Sequence, residues 1–232
     1  MQDLIWNSIE DQFAVTRDDY MTWQMVRLPI KLQHLRGHEH FRSIGSDSVK
    51  HAFDHLLGKD QWKLPWHWGQ FLIGFPSEQS FSIPHEIWHT DFGFETDQDP
   101  LEGLLVLSLI SDVPSTAGGT MLIEGSHLFV KQFIQTIPHE QRKKMKTVRK
   151  ALYDSHPWFR RLTDPRDRTD RIDYFIHSIQ RVDGVDLKVH QITGSAGDVI
   201  IAHPWLLHAS SPNCTDQVKM MRVHRIHRLE AI

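Results

Sequence analysis

Apolar residues along the chain change their period near Gln70. Ahead of that point, "SDSVKHAFDHLLGKD" sets Val49, Phe53, Leu56 and Leu57 at helical spacing, opens on Ser46 and Asp47, and stops at Gly58. Ser or Asp at an N-cap and Gly past the last turn satisfy a helix's orphan backbone groups, so this stretch predicts a helix. Upstream, "DQFAVTRDDYMTWQMVRL" predicts a second helix of less regular frame. From Gln70 onward the apolar runs are short, rich in Val, Ile and Leu, and bounded by Gly, Pro, Asp or Ser. "QFLIGFP", "LLVLSLISDV", "GTMLIEGS", "GDVIIAHPWLLHAS" and "VKMMRVHRIHRL" read as strands. From about Leu128 to Arg181 a charged block of helical character interrupts them, including "PHEQRKKMKTVRKAL" and "WFRRLTDPRDRTDRIDYF".

This layout predicts one domain over 1–232: helical support at 1–65, a β-core from 66–127 and 186–232, and a helical insertion or lid at 128–185. Strands on either side of an insertion usually rejoin one sheet system. The expected fold is therefore mainly β, a jelly-roll (double-stranded β-helix, cupin-like) core with helices outside it. A length of 232 residues, with 40% apolar and 24% charged, suits one domain with a proper core. The net charge of −3 supplies no drive toward nucleic acid or a membrane surface. No apolar run reaches the roughly 18 residues of a membrane span, and "MQDLIWNSIEDQ" lacks the basic-then-apolar order of a secretory signal. The one cysteine, Cys214, excludes an internal disulfide framework and suits a reducing compartment, so a cytoplasmic protein is expected. Seventeen histidines are well above common usage, and several sit beside aromatics, as in "WHWG" and "PWLLH".

One histidine-bearing stretch, "SIPHEIWHTDFGF", holds two motifs that exclude each other. His85 to His89 is a literal HExxH, which on a helix would present two zinc-binding histidines and a general base. His89-Thr90-Asp91 is an HxD, which on a strand puts an imidazole and a carboxylate on one face. The helical reading fails on its surroundings: Pro84 just before the motif, Gly93 soon after it, and β-type "SFSIP" upstream. The strand reading sets Ile87, His89 and Asp91 on one face, with alternate Cα atoms about 6.6–6.8 Å apart. Such a pair needs one more histidine from a distant strand. Two histidines and one carboxylate form the facial triad of non-haem Fe(II) oxygenases, which leaves coordination positions open. In "GDVIIAHPWLLHASSPN", His203 and His208 are the candidates. His208, at a strand end beside the "SPN" turn, is the better placed.

Together, "WHTD", "GGTMLIEGSH" and "GDVIIAHPWLLHASSPN" resemble the phytanoyl-CoA dioxygenase family of Fe(II)/2-oxoglutarate oxygenases. The resemblance runs from about Gly69 to Lys219, apart from the insertion. It implies a double-stranded β-helix with His89, Asp91 and His208 holding Fe(II) and no catalytic residue beyond these ligands. It further implies 2-oxoglutarate chelating two open positions, O2 as the second cosubstrate, and oxidation of a substrate C–H bond with release of succinate and CO2. Retention of Asp91 points to hydroxylation, desaturation or rearrangement rather than halogenation. Family members usually carry an arginine eleven residues after the second histidine to receive the keto acid's far carboxylate; here that position is Lys219. Arg222 is the second choice, and Ser210 is expected to share the face of His208 and assist. Lysine brings the charge without arginine's bidentate fork. This departure keeps open a second reading, a metal-binding jelly roll without 2-oxoglutarate turnover. An HExxH zinc metalloprotease is the third.

The insertion, with Phe92, Phe94 and Trp205, is expected to wall a pocket for a small organic substrate. The basic run from Arg142 to Lys150, six Lys or Arg in nine residues, reads first as a solvated helix face and second as a lure for an anionic substrate. His85, His203 and His127 read as packed or supporting residues, and His224 and His227 as members of an ordinary strand. The sequence carries no signal of oligomeric state.

Overall fold

The computed structural model describes residues 1–26, 30 and 32–229. The chain opens with α1 (Gln2–Phe13), which ends at Ala14 in a left-handed conformation, φ 52°. The second predicted N-terminal helix is thereby corrected. Its first residues belong to the end of α1, a 3-10 segment (Tyr20–Met25) covers part of the remainder, and Arg27 and Leu28 lie outside the described residues. The density of Asp and Thr between them favours local turns over a helix: the Asp19 carboxylate caps Met21 and Thr22 bonds the Asp19 carbonyl. The predicted helix at 46–58 forms as α2 (Asp47–Leu57), with the Ser46 hydroxyl accepting from the Val49 N–H and Gly58 at φ 95° ending it.

Strands β1 (Gln70–Gly74), β2 (Gly103–Leu109) and β3 (Met121–Glu124) follow, β1 and β3 inside runs predicted as strand and β2 starting one residue before its run. The insertion carries α3 (Ser126–Gln135), α4 (His139–Arg142), α5 (Met145–Ser155) and α6 (Pro157–Thr163). It ends sooner than the sequence predicts. β4 (Gln180–Val182) and β5 (Val185–Gln191) form a hairpin whose first strand and turn lie in the expected insertion, while β5 runs into the expected β-core. Its signal is Asp183-Gly184, both at positive φ (46° and 83°), the two-residue turn whose twist suits paired strands. β6 (Val199–Ala202), β7 (His208–Ala209) and β8 (Lys219–His227) complete the chain.

These strands make two antiparallel four-stranded sheets, in the orders β1-β8-β2-β6 and β4-β5-β3-β7. Strand alternation gives each sheet two apolar faces. Leu104, Val106, Met220 and Ile226 pack against α1, α2 and the 3-10 segments. Met121, Ile123, Leu187, Val189 and Ala209 pack against α3, α5 and α6. The opposite faces meet: Leu107, Leu109, Met221 and Val223 from the first sheet join Leu122 from the second in one cluster. The insertion therefore forms a backing layer for the second sheet. No described helix is long and apolar enough to cross a membrane.

Candidate active site

Beside β7, the second sheet gains an extra rung. His89 and His208 exchange both backbone hydrogen bonds, each at 3.0 Å, as an isolated antiparallel bridge. Cross-strand partners project to the same side of a sheet, and the two imidazoles lie 4.2 Å apart between centroids. On the other flank of β7, His208 pairs with Leu122, whose side chain belongs to the interior cluster between the sheets. The site thus faces the interior. Asp91 completes it: its oxygens stand 3.7 Å from Nε2 of His89 and 3.9 Å from Nε2 of His208. All three donor atoms lie within 4.8 Å of one another. His208 is almost sealed, with 7% of its side chain exposed, while His89 at 39% and Asp91 at 20% form the open side.

Both rings are fixed in the state that a metal needs. Nδ1 of His89 lies 2.7 Å from the Ile87 carbonyl and Nδ1 of His208 lies 3.0 Å from the Leu206 carbonyl. A carbonyl can only accept, so each Nδ1 carries the proton and each Nε2 presents its lone pair toward Asp91. Burial, together with the neighbouring His89, holds the His208 pKa below its ordinary value, so the ring stays neutral. With both imidazoles binding through Nε2, this donor set would bring the single negative charge of the carboxylate to a metal, which suits a divalent cation.

The backbone around the motif is not the regular strand that the HxD spacing predicts. Ile87 sits at φ 62°, a costly conformation for a β-branched residue. The kink delivers its carbonyl to His89 and leaves Ile87 58% exposed. It also corrects the HExxH reading: residues 85–89 form a bend and a bridge, not a helix. His85 lines a separate cavity with Arg168 and Arg171. The loop is clamped from outside. Tyr153 of α5 donates to the Trp88 carbonyl, Trp88 Nε1 to the Pro84 carbonyl, and Trp205 Nε1 to the Gly93 carbonyl at 2.7 Å.

Strand parity separates the two candidate cations. Lys219 lies on the inner face of β8 with Met221, opposite Gly74, and is 8% exposed. Among the described residues its ammonium has one partner, the Gly118 carbonyl at 2.7 Å, and burial lowers its pKa to about 8. Arg222, three residues on, points to the outer layer. It donates to the Gly69 and Arg36 carbonyls and is sandwiched by Phe41 and Phe71, at 4.6 and 4.3 Å from the ring centroids. As second choice for the cosubstrate cation it is thus corrected: the sheet lies between it and the interior. Ser210 is exposed just past β7, whereas the Ser211 hydroxyl bonds the Gly119 carbonyl and receives Gln191 Nε2.

Of the expected pocket walls, only Phe92 reaches a cavity at the site. That cavity, of about 700 Å³, is bordered by Asp91, Phe92, Leu101, Met145, Arg225 and His227. Phe94 and Trp205 are buried in the apolar cluster behind the second sheet, 6.1 Å apart. Their large rings fill core volume as ordinary aromatics do. Met145 is the insertion's one contribution to this wall. Arg225, which the sequence presents only as one of many basic residues, donates to the Asp91 carbonyl at 3.0 Å. Its signal was available in the parity of "KMMRVHR", which sets it on the face of Lys219. His127 and His203 stack on each other at 4.8 Å, away from the triad, and burial lowers the His203 pKa to about 4.

With this geometry established, comparison with known proteins is informative. The family model of phytanoyl-CoA dioxygenase (PhyH) matches residues 6–221, nearly the entire chain. The chain belongs to the phytanoyl-CoA dioxygenase family. Among solved structures, this PhyH-family chain is similar to the non-haem α-ketoglutarate-dependent carbocyclase SnoK from nogalamycin biosynthesis, at 20% identity and TM-score 0.38, covering 68% of this chain and 47% of that one. It is also similar to the non-haem α-ketoglutarate-dependent epimerase SnoN from nogalamycin biosynthesis, at 17% identity and TM-score 0.36, covering 68% and 46%. A third is AviO1 from Streptomyces viridochromogenes Tue57, at 16% identity and TM-score 0.35, covering 70% and 50%. The chain spans about half the length of these three proteins. No curated protein matches it.

Proposed function

We propose that this chain is a non-haem Fe(II)- and 2-oxoglutarate-dependent oxygenase that hydroxylates a small organic substrate, and that its two sheets close as a jelly roll around the site. The observation that carries the reading is the interior-facing set His89, Asp91 and His208. Both histidines are locked in the metal-binding tautomer, and one carboxylate supplies the only charge. The PhyH family membership supports the same chemistry. Such a donor set leaves half of an octahedral ion open, as oxygen chemistry requires.

Lys219 supports the cosubstrate. A buried ammonium with one carbonyl partner is under-compensated and is stabilised by any carboxylate that reaches it. We assign it to the remote carboxylate of 2-oxoglutarate. Iron chelated by the keto acid would supply the O2-dependent oxidation; the chain's own residues bind, orient and exclude water. Leu72, Leu107, Leu122 and Met221 line the interior with groups that do not compete for the metal.

Anaerobic titration of the metal-free protein with Fe(II) and then 2-oxoglutarate tests this reading. A weak visible charge-transfer band is expected only after the keto acid, and His208→Ala is expected to abolish it. Iron binding without a band would favour a metal-binding jelly roll that does not turn over the keto acid. Glu86→Gln is expected to leave iron affinity unchanged, and a loss of affinity would revive the zinc-protease reading.

A further inference from the structure

Lys219 and Arg225 lie on the same inner face of β8, six residues and so about 20 Å apart along the strand. Lys219 is sealed at one end. Arg225 is exposed at the other and borders two cavities that both also touch Asp91 and His227. The larger is the 700 Å³ cavity with the apolar wall of Phe92, Leu101 and Met145. The smaller, about 340 Å³, is lined by His67, Gln70, His224, His227 and Arg225, with Asp91 as its sole carboxylate.

The smaller cavity is rich in donors. One N–H of Arg225 is used on the Asp91 carbonyl, and Arg225 makes no ion pair among the described residues. Nδ1 of His67 accepts the Gly69 N–H at 2.9 Å, so the neutral ring carries its proton on Nε2 as a further donor. Burial, and then the charges of Arg36 and Arg222, holds the His67 pKa below its ordinary value. Burial first, and then its neighbours His67 and Arg222, lower the His224 pKa to about 4. An anion entering this space meets a positive field and an unpaired guanidinium.

Building on the oxygenase reading above, we infer that Arg225, with His67 and Gln70, binds a compact oxyanion, a carboxylate or phosphate, on the substrate. This anchors the substrate one residue's carbonyl away from the metal ligand Asp91 and lays its body along Phe92, Leu101 and Met145. The two cations of β8 then divide the work: the sealed Lys219 takes the cosubstrate and the open Arg225 takes the substrate. Arg225 is a binding residue here, and the guanidinium's planar fork suits either oxyanion.

Calorimetric titration of the metal-free protein with inorganic phosphate and with acetate tests this without iron or keto acid, so it can fail while the charge-transfer band appears, and the reverse. Millimolar binding of at least one anion is expected. Arg225→Gln, which keeps a donor for the Asp91 carbonyl but no charge, is expected to weaken it about tenfold while leaving Fe(II) affinity unchanged. Lys219→Met removes the buried ammonium as a second site for acetate, and Arg225→Gln is expected to weaken the binding that remains in that background. Tighter phosphate binding would mark a phosphate-bearing substrate, and tighter acetate binding a carboxylic acid. The inference is overturned if Lys219→Met binds neither anion, or if Arg225→Gln leaves binding intact in that background or also loses Fe(II).

Discussion

The two faces of β8 hold cations for opposite reasons. Arg222, on the outer face, is fully buried between two aromatic rings with Nη2 on two carbonyls, while its Nε and Nη1 have no partner among the described residues. Lys219, on the inner face, is almost as buried but has one carbonyl and a glycine opposite. The first is a structural cross-link between β8 and the N-terminal segments. The second is a charge kept in the interior, with the Gly118 carbonyl as its one partner among the described residues. Burial and charge alone do not distinguish a functional cation from a structural one; the face of the strand it occupies does.

Breaking this contrast begins with Lys219→Met. Loss of two charge-assisted hydrogen bonds to a carboxylate is expected to weaken 2-oxoglutarate about a hundredfold, read from the charge-transfer band, with iron affinity retained. Arg222→Ala is expected to act on stability instead. It opens a gap between Phe41 and Phe71 and strips the Gly69 and Arg36 carbonyls, although removing a buried charge offsets part of this. The net loss is about 2 kcal/mol in denaturant unfolding, with keto-acid affinity of the folded protein unchanged. If the two phenotypes came out exchanged, the roles assigned to the faces would have to be exchanged as well.

A finer test uses pH. Burial lowers the Lys219 pKa from 10.5 to about 8, so between those values the unfolded chain holds a proton that the folded chain has released. Stability of the cosubstrate-free protein should therefore rise with pH across that window. Keto-acid affinity should move the other way, falling about tenfold per pH unit above 8 as the ammonium is lost. Lys219→Arg, charged throughout, should flatten both profiles.

The smallest effect is expected at Ile87. Its side chain is exposed and its φ of 62° is strained, so Ile87→Gly should change stability by no more than about 1 kcal/mol, in the favourable direction, in thermal unfolding. Iron affinity should hold, because the Ile87 carbonyl, not its side chain, orients His89.

Much of this protein is legible in one dimension. The capped, periodic stretch at 46–58 forms a helix because its stabilising groups are local. All five apolar runs predicted as strands contain one, since β-branched residues between turn formers suit a half-buried pleat. His89, Asp91 and His208 could be nominated because a metal site requires particular donor types, and those types are visible wherever they stand. The β4–β5 hairpin was equally legible in Asp183-Gly184 and the alternation that follows, but the charged block before it obscures the change of period.

Other features depended on the assembled sheets. Whether Lys219 or Arg222 faces the interior follows from the register of β8 against β1 and β2, since one residue's shift exchanges the faces. Phe94 and Trp205 look like pocket walls in the sequence and become core because the insertion packs behind the second sheet. Arg225 gains a role only through a loop more than a hundred positions earlier, whose carbonyl it reaches. Donor chemistry and local propensity belong to individual residues and survive in the string of letters. Which side of a sheet a residue faces, and what lies across from it, belongs to pairs of distant segments and exists only once they have packed.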